Sequence, residues 1–347
     1  MADDRKVRIA VDAMGGDKAP GEIVKGAVEA FTDAGSAGEA NDQIGKIFLV
    51  GQKARVEEAL QTTDQGMKLV SDGRIEIINA SEIIEMAEPP VAAIMSKRDS
   101  SIVKAMQMVR NGEADAYVSA GSTGANLVGG QTIIGRVKGV ERAPLAPFIP
   151  TEKGASILID CGANVDARSS ALVQFAKMGS IYYRNTMGKE KPTVAIINIG
   201  AEEEKGNALV KETFPLLKEC KDINFIGSAE ARDIPAGVAD VLVCEAFTGN
   251  VVLKMYEGVG KTALHMLKQG FTRNLRSKLG AALALPSVKE SLKMFDLKQY
   301  GGAPMLGLKG LVVKTHGSAE AVEVKNSIRQ CVDFYRQDIG KQIEACL

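Results

Sequence analysis

The chain has no tryptophan, two histidines and five cysteines among its 347 residues, and each shortage removes a class of chemistry. His265 and His316 cannot form an HExxH helix and give no basis for a multi-histidine metal site. Cys161, Cys220, Cys244, Cys331 and Cys346 are odd in number and hold no CxxC pair, so they read as reduced thiols in a cytosol rather than a disulfide framework or a zinc site. No apolar run approaches the roughly 20 residues that a membrane span needs. The charged start, Met1 to Lys6, runs straight into a strand pattern, which argues against a secretory leader. Neither sign of charge is in excess: 43 Lys and Arg balance 43 Asp and Glu, so no global field favours nucleic acid. The common catalytic signatures are missing as well. There is no GxSxG elbow and no GxGxxG after the first strand, which leaves a serine hydrolase and a dinucleotide-binding dehydrogenase without support. Gly260-Lys261-Thr262 imitates the end of a P-loop, but Met255 occupies the required first glycine position and the stretch reads as helix interior.

What is present is the rhythm of a wound α/β sheet. Short apolar runs alternate with longer amphipathic ones. Val7 to Val11 predicts the first strand, and Pro20 opens a helix with Ile23, Val24, Ala27, Val28 and Phe31 on one face. Further strands are predicted at Ile47 to Val50, Ile75 to Ile78, Tyr117-Val118, Ser156 to Ile159, Val194 to Ile197, Asn224 to Ile226 and Val241 to Val243. Helices are predicted over Ile102 to Val109 and Leu209 to Leu217, and the turn at Glu152-Lys153-Gly154 predicts one antiparallel hairpin within a mixed sheet. With no repeat and no linker, residues 1–347 read as a single domain.

The strands end in a consistent way. Asp12, Ser119, Asp160, Asn198 and Cys244-Glu245 close five of them, and Gly15, Gly121, Gly162, Gly200 and Gly249 follow within a few residues. Ligands of open α/β sheets sit beyond the carboxyl ends of the strands, where loops hand over to helix N-termini. One exposed loop is often polar for no special reason; five together point to one shared site. The loops suit an anion. Ser119-Ala120-Gly121-Ser122-Thr123-Gly124-Ala125-Asn126 offers backbone N–H groups and hydroxyls, although Ser and Thr also serve as N-caps. Phe247-Thr248-Gly249-Asn250 adds a cation one turn on at Lys254, Lys205-Gly206-Asn207 adds another, and Lys97-Arg98-Asp99-Ser100-Ser101 adds more before a helix. Cys161 has no flanking histidine and reads as a small buried packer rather than a nucleophile.

These residues carry a resemblance. Val11-Asp12-Ala13-Met14-Gly15-Gly16-Asp17 with Pro20 resembles the opening of the PlsX-type phosphate acyltransferases. The likeness continues through Lys97 to Ser101, Ser119 to Asn126, Asp160-Cys161-Gly162-Ala163-Asn164, Asn198-Ile199-Gly200 with Glu203 to Asn207, and Phe247 to Asn250 with Lys254. It ends at Tyr300-Gly301-Gly302-Ala303-Pro304 and His316-Gly317-Ser318. Two departures are visible: Glu245-Ala246 stands where the family usually has Asp-Gly, and Ser122 where it often has Asn. The resemblance implies a three-layer α/β/α sandwich with a mostly parallel mixed sheet, of the isocitrate/isopropylmalate-dehydrogenase-like kind. It also implies a homodimer, no cofactor and no metal, and transfer of a fatty acyl group from acyl carrier protein to inorganic phosphate. The acyl phosphate would feed a membrane glycerol-3-phosphate acyltransferase in phosphatidic acid synthesis, which places the chain in the cytoplasm, peripheral to the inner face of the cell membrane.

The chemistry fits the shortages. Phosphate can attack a thioester directly, and a thiol of pKa about 8.5 leaves readily as thiolate, so no enzyme nucleophile is required. The protein must position phosphate and stabilise an oxyanion. Ser122, Thr123, Gly124, Lys254 and Lys205 are expected around phosphate, with Asn250 or backbone N–H groups at the oxyanion. His316 either donates a proton or hydrogen bond, or is a satisfied histidine beside a glycine turn. Gly15, Gly16, Asp17, Lys97, Arg98, Ser119, Asn126, Asn164, Asn198, Asn207, Thr248 and Gly249 complete the expected binding set. Asp12, Asp17 and Asp160 would orient lysines and loop backbone, since like charges repel.

Other readings compete. Asp12, Asp17, Asp160 and Glu245 could bind Mg²⁺ in a hydroxyacid dehydrogenase of the same fold. A phosphotransacetylase would differ in using acyl-CoA, and a membrane-surface scaffold would do no chemistry. The last draws on the segment of about 271–295, where Leu275, Leu279, Ala282 and Leu283 recur at helical spacing among Arg273, Arg276 and Lys278. Pro286 is expected to break this segment into a protruding helical hairpin with an apolar tip, Ala281 to Leu285, and a return arm carrying Val288, Leu292 and Phe295 beside Lys289 and Lys293. The tip either enters a membrane surface or packs on a second subunit.

Overall fold

The computed structural model describes residues 5–32, 42–293 and 300–347. The chain divides into two compact units: Met1–Ala146 with Arg184–Gly188 and Lys298–Leu347, and Pro147–Tyr183 with Lys189–Leu297.

The first unit is built on a six-stranded sheet ordered β10-β11-β4-β1-β2-β3. Its strands are β1 (Val7–Asp12), β2 (Ile44–Gly51), β3 (Ile75–Asn79), β4 (Ala116–Ser119), β10 (Ala303–Met305) and β11 (Leu311–Lys314). All neighbours are parallel except β10, which runs antiparallel to β11 at the edge, where Pro304 costs no inner ladder bond. Helices are α1 (Gly21–Thr32), α2 (Lys53–Gln61), α3 (Gly66–Ser71), α4 (Pro90–Ser96), α5 (Ser101–Arg110) and α6 (Thr123–Gly129). Side chains alternate between the faces of a strand. Val7, Ile9 and Val11 therefore pack with Ile23, Val24, Ala27 and Ile328 in one core, while Ala10 and Tyr117 turn the other way. Ile328 belongs to α11 (Ala321–Arg336), the helix that lies against α1.

The second unit holds a five-stranded sheet ordered β5-β6-β9-β7-β8, from β5 (Phe148–Thr151), β6 (Gly154–Ile159), β7 (Thr193–Asn198), β8 (Asn224–Glu230) and β9 (Val241–Val243). Here β5 and β6 form the antiparallel hairpin expected at Glu152-Lys153-Gly154, and the rest is parallel. Leu158, Ala195 and Leu242 pack beneath Val252, Leu253 and Tyr256 of the long helix α9 (Ala246–Thr272). The opposite face meets α7 (Ser169–Met187), where Gly179 sits against Val241 and Ile159. The edge is closed by α8 (Ala208–Glu219), whose Phe214 meets Phe225 edge-on at 5.1 Å. The α/β class with mixed, mostly parallel strands is as the sequence led us to expect; the strands are divided between two sheets.

The helical hairpin differs from expectation. α9 ends at Thr272 and α10 runs from Leu275 to Lys293 with Pro286 inside it. The turn falls at Arg273-Asn274 because Asn274 caps the second helix: its Oδ1 accepts from Ser277 N at 2.9 Å and its carbonyl from Lys278 N at 3.0 Å. Ala281 to Leu285 therefore lies along a helix and is no tip. Phe295 lies outside the described residues, as do the side chains of Lys289, Leu292 and Lys293.

The α1–α11 contact gives a stability test. A Cβ on Gly26 would stand 2.5 Å from the Ala321 carbonyl oxygen and 2.7 Å from Val324 Cβ. Gly26→Val should destabilise the protein by about 1–3 kcal/mol through overpacking, lowering the urea midpoint at unchanged slope. An unchanged midpoint would show that the helices can separate at no cost.

Candidate functional site

In the first unit three strand-end loops meet. Asp12 closes β1 fully buried, and a Cβ on Gly15 would collide with its carboxylate and stand 2.6 Å from Gly121 N, so only glycine admits the approach of the β1 and β4 loops. Asp17 N donates to the Gly317 carbonyl at 2.8 Å, and Thr315 N donates to the Ser119 carbonyl at 2.9 Å, which brings in the loop after β11. Ser119 Oγ donates to Asp12 Oδ2 at 2.7 Å and accepts from Gly121 N at 2.9 Å and Asn126 Nδ2 at 3.3 Å. Asn126 Oδ1 accepts the Tyr117 hydroxyl at 2.7 Å. Burial pushes the Asp12 carboxyl up, against hydrogen bonds from Ser101, Ser119, Met14 and Gly15 that favour its charged form. Burial, with the Asp12 charge beside it, pushes the Tyr117 phenol well above its ordinary range.

The structure sorts the expected ligands here. Ser119 and Asn126 are buried and bonded to one another, and Ser122 Oγ caps α6 at Ala125 N, 3.4 Å away. Thr123 is the exposed hydroxyl of the loop, and Gly124 packs on Pro90. Asp17 and His316 are exposed, with His316 Nδ1 2.8 Å from Ser318 Oγ. Lys97 is engaged elsewhere: its Nζ donates to Glu88 Oε1 at 2.6 Å and the Ile83 carbonyl at 2.7 Å. Arg98 Nε likewise donates to the Met95 carbonyl at 2.8 Å. The Lys97 to Ser101 motif thus braces its own turn, with Asp99 accepting from Ser81 and Lys104. The sequence reading missed Lys314, which closes β11 and is buried with its amine bonded to the Thr315 carbonyl and 3.4 Å from that of Ala120. A lone lysine ending an apolar strand was the available clue.

In the second unit, Asp160 orients backbone. Its Oδ2 accepts from Asn164 N at 2.8 Å and Asn164 Nδ2 at 2.7 Å, and its Oδ1 from Ala163 N at 3.3 Å. Asn164 then accepts Ala246 N at 3.1 Å through its carbonyl, joining this loop to the start of α9. A Cβ on Gly249 would collide with the Asp160 carbonyl oxygen. Asn250 is exposed with its side chain 3.9 Å from the position of a Cβ on Gly162, and Lys254 is exposed one turn later, 3.0 Å from Glu257 Oε2. Glu245 caps α9: its carboxylate accepts from Phe247 N at 2.6 Å, from Thr248 N at 3.0 Å and from the Thr248 hydroxyl. Thr248 and the first N–H groups of α9 are therefore already satisfied by the chain itself. Asn198 binds the Lys205 carbonyl and Ser228, Asn207 caps α8 at Val210 N, and Lys205 pairs with Glu202 at 3.1 Å. Burial pushes both thiols beside these loops, Cys161 and Cys244, well above the ordinary range, which removes them as nucleophiles. Among the described residues no three His, Cys, Asp or Glu side chains are grouped to hold a metal ion.

The five strand-end loops thus fall two in the first unit and three in the second. Solved structures show the fold class. A phosphotransacetylase from Streptococcus pyogenes matches 96% of this chain and 94% of its own with a TM-score of 0.57 at 16% identity. The EutD phosphotransacetylase from Staphylococcus aureus covers 95% and 94% with a TM-score of 0.55 at 16% identity. Sequence narrows the class to a family. The model of the family described as "Fatty acid synthesis protein" matches residues 7–342. A phosphate acyltransferase from Clostridium perfringens (strain SM101) is 46% identical over 97% of this chain and 96% of its own, and one from Clostridium novyi is 44% identical over 98% of each. The chain belongs to this family, the PlsX-type phosphate acyltransferases, and the dehydrogenase and scaffold readings fall away.

Lys254 is the exposed cation nearest in sequence to Asn250 and holds only a surface pair, so its removal should leave the fold intact. Lys254→Ala is expected to cost about 2–4 kcal/mol of transition-state stabilisation in kcat/KM with an unchanged melting temperature. Wild-type turnover at low phosphate would remove Lys254 from the site.

Proposed function

We propose that the chain transfers a fatty acyl group from acyl carrier protein to inorganic phosphate, the whole of residues 1–347 serving this one activity as a homodimer. The observation that carries this reading is the start of α9. Asn250 and Lys254 stand exposed one turn apart, beside a loop fixed by Asp160, while the two neighbouring thiols are held protonated. Such a site can hold an anion and an oxyanion and offers no nucleophile of its own, which is what direct attack by phosphate requires. Phosphate adds through an oxygen to the thioester carbonyl, the carbon–sulfur bond breaks, and the carrier leaves as thiolate. Asn250 supplies a hydrogen bond to the oxyanion and Lys254 a positive charge, with Lys205 close in sequence to the Asn198 loop as a second cation. Within the first unit, the exposed Thr123 hydroxyl and the Gly124 turn are suited to binding phosphate, and His316 is an exposed hydrogen-bond donor of the same unit.

The product is an acyl phosphate, and its hydrophobic chain suits delivery to a membrane glycerol-3-phosphate acyltransferase for phospholipid synthesis. Among the described residues no helix is long and apolar enough to cross a membrane. The α9–α10 hairpin nevertheless exposes Met266, Leu275, Leu279 and Leu283, the last 85% accessible, around an apolar groove of about 720 Å³ lined by Ala263, Leu267, Phe271 and Ala281. With Arg273, Arg276 and Lys278 beside it, this surface is suited to the anionic inner face of the cell membrane.

Incubation with long-chain acyl carrier protein and phosphate should yield acyl phosphate, at a rate unchanged in EDTA. Turnover with acyl-CoA but not with the carrier protein would make the chain a phosphotransacetylase in substrate, and loss in EDTA restored by Mg²⁺ would overturn the metal-free route. Leu283→Glu with Leu285→Glu should abolish sedimentation with anionic liposomes and spare activity on the soluble substrate. Retained sedimentation would exclude this surface, and dissociation into monomers would assign it to the dimer.

A further inference from the structure

The Ser119 hydroxyl has one proton and two lone pairs, and all three are accounted for. Two N–H donors, Gly121 N and Asn126 Nδ2, occupy the lone pairs, so the proton must point to Asp12 Oδ2 at 2.7 Å. The Asn126 amide has likewise committed its protons. Its two protons go to Ser119 Oγ and, at 2.9 Å, to the Ser122 carbonyl, and its oxygen takes the Tyr117 proton. Asp12 Oδ1 takes Met14 N at 3.2 Å. Tyr117, Asn126, Ser119 and Asp12 thus form one directed run of hydrogen bonds, each member at most 1% exposed. Neither Ser119 nor Asn126 has a proton left for a phosphate oxygen, although both belong to the loop that resembles a phosphate binder.

We propose that Asp12 is a positioning residue whose carboxylate, acting through Ser119 and Asn126, fixes the loop from Ser119 to Ser122 and so sets where Thr123 and Gly124 present themselves. The run ties both ends of that loop. Ser119 Oγ turns the Gly121 N–H inward, and Asn126 holds the Ser122 carbonyl from the first turn of α6. Gly15 and Gly121 let the β1 loop lie close enough for the Asp12 contact. A buried network of this kind specifies one geometry only while every member is satisfied. Its loss is therefore felt at the loop rather than at Asp12 itself. The inference rests on the proposed binding of phosphate at Thr123 and Gly124.

The sign of the effect on phosphate affinity makes the test sharp. Removing a buried negative charge near an anion site would, by electrostatics alone, lower the KM for phosphate. Loss of positioning raises it. Wild-type enzyme must first form acyl phosphate from acyl carrier protein and phosphate; if it does not, the functional reading fails, and this one with it. Given that activity, Asp12→Asn and Ser119→Ala should each raise the phosphate KM roughly tenfold with kcat within threefold. The double variant should be no worse than either alone, because the two act as a unit. A lowered or unchanged KM in folded Asp12→Asn, or multiplied effects in the double variant, would overturn the proposal. Should Asp12→Asn not fold, Ser119→Ala and Tyr117→Phe carry the test, and an unchanged phosphate KM in both overturns it.

Discussion

Two of the strand-end loops are held by approaches to backbone so close that a single added carbon would not fit. In the first unit Gly15 lies against the Asp12 carboxylate and Gly121 N; in the second Gly249 lies against the Asp160 carbonyl. Most of what surrounds these contacts follows from them. Strand-end loops can supply N–H groups and short polar side chains to one place only if they approach within van der Waals distance, and a Cβ on any of these glycines would hold them apart. The two aspartates occupy the space so created. Each is buried, each accepts hydrogen bonds from its own loop, and each fixes a partner, Ser119 in one case and Asn164 in the other. The glycines set the distance and the carboxylates set the orientation.

Much of this was legible in the sequence, for a local reason. Strand ends are marked by a change from β-branched residues to a polar residue and a glycine, and all five ends so marked do close strands, as does the hairpin at Lys153-Gly154. The carboxylates Asp12 and Asp160 could be assigned an orienting role because a like charge is a poor phosphate ligand. What escaped depends on which groups meet once the chain has folded, near or far in sequence. Lys97 looks like a free cation until Glu88 and the Ile83 carbonyl are seen on it, and Thr248 looks like a free hydroxyl until Glu245 is seen to cap its helix. β10 and β11 are too short to show a period, and β4, on which β11 pairs, is nearly 200 residues away. Pro286 misled because a proline normally ends a helix, whereas Asn274 already provided the turn 12 residues earlier.

The cysteines show why a polar loop set and an inert one can share the same strands. Cys161 and Cys244 sit one residue beyond Asp160 and Val243, at the point where a nucleophile would be useful, yet both are packed into the core under α9. Burial and the nearby carboxylates keep their thiols protonated. Asn250 and Lys254 stand exposed at the start of α9 instead.

The 27 residues of α9 have one further consequence. At about 1.5 Å per residue the helix is roughly 40 Å long. Its first turn rests on the Asp160 carbonyl and carries Asn250, while its last turns carry Leu267 and Phe271 into the apolar groove. No proline interrupts it. The groove and the pair Asn250 and Lys254 therefore belong to one continuous helix and lie toward its opposite ends.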